Sequence, residues 1–236
     1  MQKPDKPICY IVGAGELYAP LAIAPQNADY VIAADGGFRY LQEAGIHVNL
    51  LIGDFDSQRT TNMDNVSSST VTPHSSPLIP TSPTNRHQPS TVIIKLPSQK
   101  NETDMYAAIA AGLERGYQTF RIYGGLGGSA RHTLANIQCL KMLAARGCRG
   151  YLIGEREVLT AIHAESIEFP ANRSGVISVF SLGEKACGVS LKNLRYPLED
   201  YTISDAYPIG VSNEFIGKAA SVSVKEGTLL LVYDLL

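Results

Sequence analysis

Short apolar runs recur through the first half of the chain, at residues 8–12, 30–34, 50–52, 92–96 and 120–123, and Gly or Asp closes most of them. Runs of this length, rich in Val, Ile and Leu without polar alternation, predict strands buried on both faces. Between them lie helical periods. Residues 103–115 place Met105, Ala108, Ile109 and Leu113 on one face, and residues 133–146 form a second period that Gly147 ends. Strand and helix in alternation predict a Rossmann-like, mostly parallel α/β sheet covered on both sides.

From about residue 151 the period changes to two. Val176, Ser178 and Phe180, then Val189 and Leu191, then Val222 and Val224, and finally residues 229–233, read as strands joined by turns such as Glu226-Gly227. The expected organisation is an α/β domain over 1–150 followed by an antiparallel β-sandwich over 151–236. Residues 58–91 belong to neither pattern. Dominated by Ser, Thr, Pro and Asn, they bury too little to offset the ordering of their backbone, which predicts a disordered surface insertion.

Composition narrows the class. The chain has 236 residues, 44% of them hydrophobic, enough for a substantial core. A net charge of -2 gives no basic face for nucleic acid or an acidic membrane, so neither is expected as a partner. Cys9, Cys139, Cys148 and Cys187 lack metal-site spacing and read as reduced, mostly buried thiols. No apolar leader or membrane-length run is visible, and a cytoplasmic protein is expected.

Four segments carry candidate chemistry. In Ala33-Ala34-Asp35-Gly36-Gly37 a strand ends in a carboxylate and two glycines, which suits a phosphate approached by backbone amides and equally suits a plain Asp-Gly turn. In Gly53-Asp54-Phe55-Asp56-Ser57 two carboxylates stand two residues apart. On extended backbone they share a side and can hold a hard cation; a solvated turn is the other reading. Lys100-Asn101-Glu102-Thr103-Asp104 precedes the first clear helical period, with Thr103 as N-cap and Asp104 in the first turn, as capping alone also explains. Tyr123-Gly124-Gly125-Leu126-Gly127-Gly128-Ser129 runs from a strand into a helix and exposes amides to an anion, without the spacing of a P-loop or of a dinucleotide fingerprint. His132 follows as a helix-start or core histidine rather than a base.

The order of these segments is more specific than any one of them. ADGG, GDFDS, a Thr-Asp helix start, then GGLGG leading into His-Thr-Leu-Ala-Asn together resemble the catalytic half of thiamine pyrophosphokinases. The likeness continues in Asn193-Leu194-Arg195-Tyr196-Pro197-Leu198 and Ser212-Asn213-Glu214-Phe215. That resemblance implies transfer of diphosphate from ATP to the hydroxyl of thiamine, with Mg2+, in a homodimer whose sites lie between subunits. It implies catalytic, metal-holding roles for Asp54, Asp56 and Asp104. Asp35, Gly36, Gly37, Gly125, Gly127, Gly128, Arg131 and His132 would meet ATP. Lys100, Asp104, Tyr196, Ser212 and Asn213 would meet thiamine, with Tyr196 where the family commonly has Trp.

One position departs from the family pattern. Gly128-Ser129-Ala130-Arg131 stands where the family reads Gly-Arg-x-Asp, so a cation replaces a carboxylate, and Arg131 is able to grip a phosphate bidentately. Two rivals follow from the residues: a phosphatase using a DxD aspartate as nucleophile, and an inactive thiamine or nucleotide sensor.

Overall fold

The computed structural model describes residues 6–17, 21–55, 90–97, 99 and 101–235. The expected insertion over 58–91 falls almost wholly on residues 56–89, which lie outside the described residues, as do Asp56 and Lys100.

Six strands run parallel. They are β1 (Ile8–Val12), β2 (Tyr30–Ala34), β3 (Leu50–Gly53), β4 (Val92–Lys95), β5 (Thr119–Tyr123) and β6 (Arg149–Ile153), in the spatial order β6-β5-β1-β2-β3-β4. Five of these were legible as apolar runs; β6 was not, because Arg149 and Tyr151 interrupt it. The helices α1 (Gly37–Glu43), α2 (Asp104–Glu114) and α3 (Ala130–Ala145) connect the strands. The expected helix over 133–146 begins three residues earlier, directly after the glycine loop.

Alternation along each strand feeds two cores. Cys9, Ile11, Ile32, Leu50, Ile52, Phe120 and Ile122 pack against α2 and α3, while Tyr10, Val12, Val31, Ala33 and Leu51 pack on the opposite face against Leu41 of α1. Burial pushes the Cys9 thiol up to about 12, so it is an inert core group. All four cysteines are free thiols.

The sheet does not end at β6. The antiparallel strands β7 (Glu157–His163), β14 (Thr228–Asp234), β9 (Val176–Ser181) and β12 (Asn213–Glu214) extend it to ten strands, in the order β12-β9-β14-β7-β6-β5-β1-β2-β3-β4. A second sheet, β11-β10-β13-β8, comprises β8 (Ser166–Phe169), β10 (Lys185–Lys192), β11 (Leu198–Ser204) and β13 (Ala220–Ser223). It closes a sandwich with the antiparallel end. Val158, Ile162, Ile177, Val179, Leu229 and Leu231 meet Phe169, Val189, Leu191 and Val222 there. In β9 the inward residues are Ile177 and Val179; Val176, expected among them, is exposed, and Phe180 faces the α3 side. Both faces of this strand are covered, so a period of two could not tell which face was the sandwich core. An α/β sheet with a C-terminal β-sandwich is therefore the fold, and residue 150 falls inside β6.

Among the described residues no helix is long and apolar enough to cross a membrane.

Candidate active site

In the parallel part β1 has β2 on one side and β5 on the other, and the chain progresses away from it in both directions. Ligands of open α/β sheets gather beyond the carboxyl ends of strands at such a reversal. Here those ends are built by backbone packed against backbone. Gly13 N–H donates to Tyr123 C=O at 2.8 Å and Gly15 N–H to Gly124 C=O at 3.0 Å, which ties the end of β1 to the end of β5. A Cβ on Gly15 would lie 2.4 Å from the Gly124 oxygen, and one on Gly37 would lie 1.9 Å from the Val12 oxygen. Gly13-Ala14-Gly15 was not singled out in the sequence; a glycine pair closing the first apolar run was the available signal.

Asp35 sits at the end of β2 with φ 48, a left-handed conformation that costs a non-glycine residue energy. Its N–H donates to Ile52 C=O at 2.8 Å, so the turn is clamped to the neighbouring β3. Asp54 follows Gly53 on that strand, and a Cβ at Gly53 would come within 3.0 Å of the Asp35 Cα. Phe55 has φ 57, so the backbone between Asp54 and Asp56 is not extended. The extended backbone on which the same-side argument rests is thus absent at Phe55, while Asp56 itself lies outside the described residues.

Asp104 opens α2, and Thr103 Oγ1 accepts from Tyr106 N–H at 3.1 Å, the N-cap that the sequence predicts. Asp35, Asp54 and Asp104 are each half-buried and engaged with neighbours. They come from the ends of the neighbouring strands β2 and β3 and from the start of the helix that follows β4. Among the described residues no group of three or more Asp, Glu, His or Cys side chains is placed to hold a metal ion.

The glycine loop leaves β5 with Gly124, Gly127 and Gly128 at φ 62, 80 and 65. Asn136 of the His-Thr-Leu-Ala-Asn segment, itself buried, donates from Nδ2 to Gly125 C=O at 2.8 Å and so fastens the loop to α3. Ser129 caps this helix without a side-chain bond and the first turn has no acidic residue, which leaves its amides available to an anion. Arg131 and His132 are both exposed there. His132 is thus a helix-start residue; its reading as a core histidine is corrected, because the first turn stands clear of the sheet.

The other candidate group assembles at the far edge. Tyr196 N–H donates to Asn213 Oδ1 at 2.9 Å, Asn213 Nδ2 donates to Tyr196 C=O at 2.7 Å, and Glu214 N–H shares Oδ1 at 2.9 Å. Asn213 is buried, whereas the Tyr196 ring is 60% exposed. Ser212, at φ 59, donates its N–H to Ser178 Oγ at 3.0 Å. An Arg195–Glu214 ion pair at 3.0 Å lies alongside. Tyr196, Ser212 and Asn213 are thus brought together, but not with the aspartates. Seven strands separate β12 from β3, about 40 Å at the usual interstrand spacing.

Two family models match the chain: "Thiamin pyrophosphokinase, catalytic domain" over residues 23–152 and "Thiamin pyrophosphokinase, vitamin B1 binding domain" over residues 165–229. The thiamine pyrophosphokinase of Bacillus subtilis (strain 168) is 25% identical over 136 residues, which is 57% of this chain and 64% of that relative's length. A crystal structure of thiamine pyrophosphokinase from Bacillus subtilis superposes with a TM-score of 0.76 at 21% identity, covering 97% of this chain and 99% of that one. For the yeast thiamin pyrophosphokinase the TM-score is 0.68 at 14% identity, over 99% and 88% of the two chains. With a catalytic-domain match over more than half its residues, the chain belongs to the thiamin pyrophosphokinase family.

Proposed function

We propose that this protein transfers diphosphate from ATP to the hydroxyl of thiamine, giving thiamine diphosphate and AMP. The observation that carries this reading is the match of both family models to the chain; the placing of Asp35 and Asp54 at the ends of neighbouring strands β2 and β3, and of the glycine loop at the end of β5, supports it.

The reaction asks little covalent work of the protein; positioning and charge neutralisation dominate phosphoryl-type transfer. Asp54 and Asp104, with Asp56, are the residues that would hold magnesium, which neutralises phosphate charge when bound. Amides of Gly125, Gly127 and Gly128 and the uncapped start of α3 orient the phosphates, and Asp35 with Gly36 and Gly37 lies beside them. One carboxylate, Asp56 or Asp104, accepts the thiamine hydroxyl proton as its oxygen attacks the β-phosphorus and AMP departs. Arg131, exposed beside the loop, holds a phosphate oxygen in place of the family's carboxylate.

Thiamine packs on Tyr196, with Ser212, Asn213 and Lys100 beside it. A gap of seven strands supports a homodimer in which Tyr196 of one copy faces the aspartates of the other. Three buried free thiols, Cys9, Cys139 and Cys148, support a reducing, cytoplasmic setting.

Incubation with thiamine, ATP and magnesium separates the readings. AMP and thiamine diphosphate in equal amounts support the transferase. Orthophosphate from simple phosphate esters would point to the aspartyl phosphatase, and thiamine binding without AMP release to the inactive sensor. With the transferase active, Arg131→Ala raises the KM for ATP more than that for thiamine; an unchanged KM for ATP would place Arg131 in solvent.

A further inference from the structure

Strand β9 takes the segment that carries Ser212 and Asn213 as its edge partner, and the pairing changes register once along the way. Asn213 lies opposite Ile177 and Glu214 opposite Val176, and Phe215 N–H donates to Gly175 C=O at 3.1 Å in the same register. Continued unbroken, that register would set Val211 against Val179. Instead, Val179 N–H donates to Gly210 C=O at 2.8 Å. Val211 and Ser212 thus stand together against the single residue Ser178, which is a β-bulge. Both are exposed, whereas Gly210 and Asn213 on either side of them are buried.

Three features hold the bulge. Gly210 lets the two backbones meet, since a Cβ there would lie 2.3 Å from the Val179 oxygen. Ser212 takes up the extra length at φ 59, a left-handed conformation that a non-glycine residue keeps only when its surroundings impose it. A bulge leaves its extra residue outside the ladder, and the Ser212 N–H finds its acceptor in a side chain instead, Ser178 Oγ at 3.0 Å. Ser178 is in turn fixed from its other side, where β9 pairs with β14 and Val232 lies opposite it. One residue beyond the bulge, Asn213 grips the backbone of Tyr196.

We propose that Ser178 is a positioning residue for thiamine: its hydroxyl holds the bulge in the conformation that aims Ser212 at the ligand. The inference rests on the reading of Ser212 as a thiamine contact. Bulges re-aim side chains beside ligand sites, and this one is pinned by a hydroxyl on a strand paired along both edges. Without that hydroxyl Ser212 regains the ordinary backbone regions, and the apparent affinity for thiamine falls with the fraction of molecules that keep the bound conformation. The fold loses little, because the hydrogen bond is open to solvent and water replaces the lost acceptor.

Calorimetric titration of thiamine and, separately, of AMP into wild type, Ser178→Val, Ser178→Thr and Ser212→Ala tests this without turnover. Val and Thr share a branched shape and differ in a methyl for a hydroxyl. Ser178→Val is expected to weaken thiamine binding about fivefold with AMP affinity and melting temperature unchanged, and Ser178→Thr to bind thiamine as wild type does. Equal losses in the two variants would overturn the proposal by making side-chain size, and not the hydroxyl, the cause. So would wild-type thiamine affinity in Ser178→Val, or a loss there that AMP affinity or melting temperature shares. Ser212→Ala separates the inference from the reading on which it rests. Weakened thiamine binding in Ser212→Ala with none in Ser178→Val sinks the inference alone, whereas unchanged binding in Ser212→Ala would remove Ser212 from the thiamine site and take the inference with it. A protein that shows the expected split between Val and Thr yet makes no thiamine diphosphate sinks the transferase reading alone.

Discussion

The two ends of the ten-stranded sheet share a covering of helix and apolar side chains on one face, but they prepare their candidate sites in opposite ways. At the parallel end the site is made of backbone: strand termini brought together through Gly15, Gly37, Gly53 and Gly124, with short carboxylates standing on them. At the antiparallel end one side chain, Asn213, organises the region by bonding to both the N–H and the C=O of Tyr196. A platform of amides and carboxylates suits phosphate and metal. An exposed aromatic ring held at its backbone suits a flat organic cation.

The sharpest way to break the comparison is to remove charge from the platform. Asp54→Asn and Asp104→Asn should each lower transfer by at least about a hundredfold without loss of fold, because charge neutralisation in the transition state is withdrawn. Near-normal rates at saturating magnesium would take these residues out of the chemistry.

Steric damage to the platform should come next. Gly37→Ala would set a Cβ 1.9 Å from the Val12 oxygen, and with backbone on both sides neither can yield, so a loss of about 2–4 kcal/mol is expected in chemical denaturation. Gly183→Ala, whose nearest neighbour would be Lys141 Nζ at 3.9 Å, should stay within about 0.5 kcal/mol. Equal effects at the two positions would mean that the strand ends can relax.

At the other end, Asn213→Ala leaves two N–H donors and one carbonyl without their partner and should cost about 1–3 kcal/mol, together with a higher KM for thiamine. An unchanged melting temperature would show that water replaces the side chain. The smallest stability effect belongs to Tyr196→Ala. Its ring is 60% exposed, so the melting temperature should hold while the KM for thiamine rises more than that for ATP, and Tyr196→Trp should bind at least as well. A change confined to ATP would reverse the assignment of the two ends.

Much of this was readable in advance, for physical reasons that differ by place. Of the five parallel strands that announced themselves, β1, β2 and β3 did so because strands covered on both faces must be apolar throughout; β4 and β5 are apolar runs only partly covered. The Thr103 cap was equally plain, since the residue types that cap helices are few. Alternation in β9 misled, because Phe180 and Val179 are both covered, by different layers. The left-handed Phe55 was invisible: nothing in its side chain signals φ 57. Gly13 and Gly15 became meaningful only once Gly124, more than a hundred positions away, lay against them.

The claim that binds the two ends is that each serves a site completed by another copy, since one chain holds them about 40 Å apart. Mixing Asp54→Asn protein with Asn213→Ala protein, after subunit exchange and at thiamine below its KM, tests it most directly. Mixed dimers should restore one intact site and release AMP faster than the sum of the two variants assayed alone. AMP release equal to that sum, with mixed dimers shown to have formed, would place both groups within a single chain's site and contradict the account.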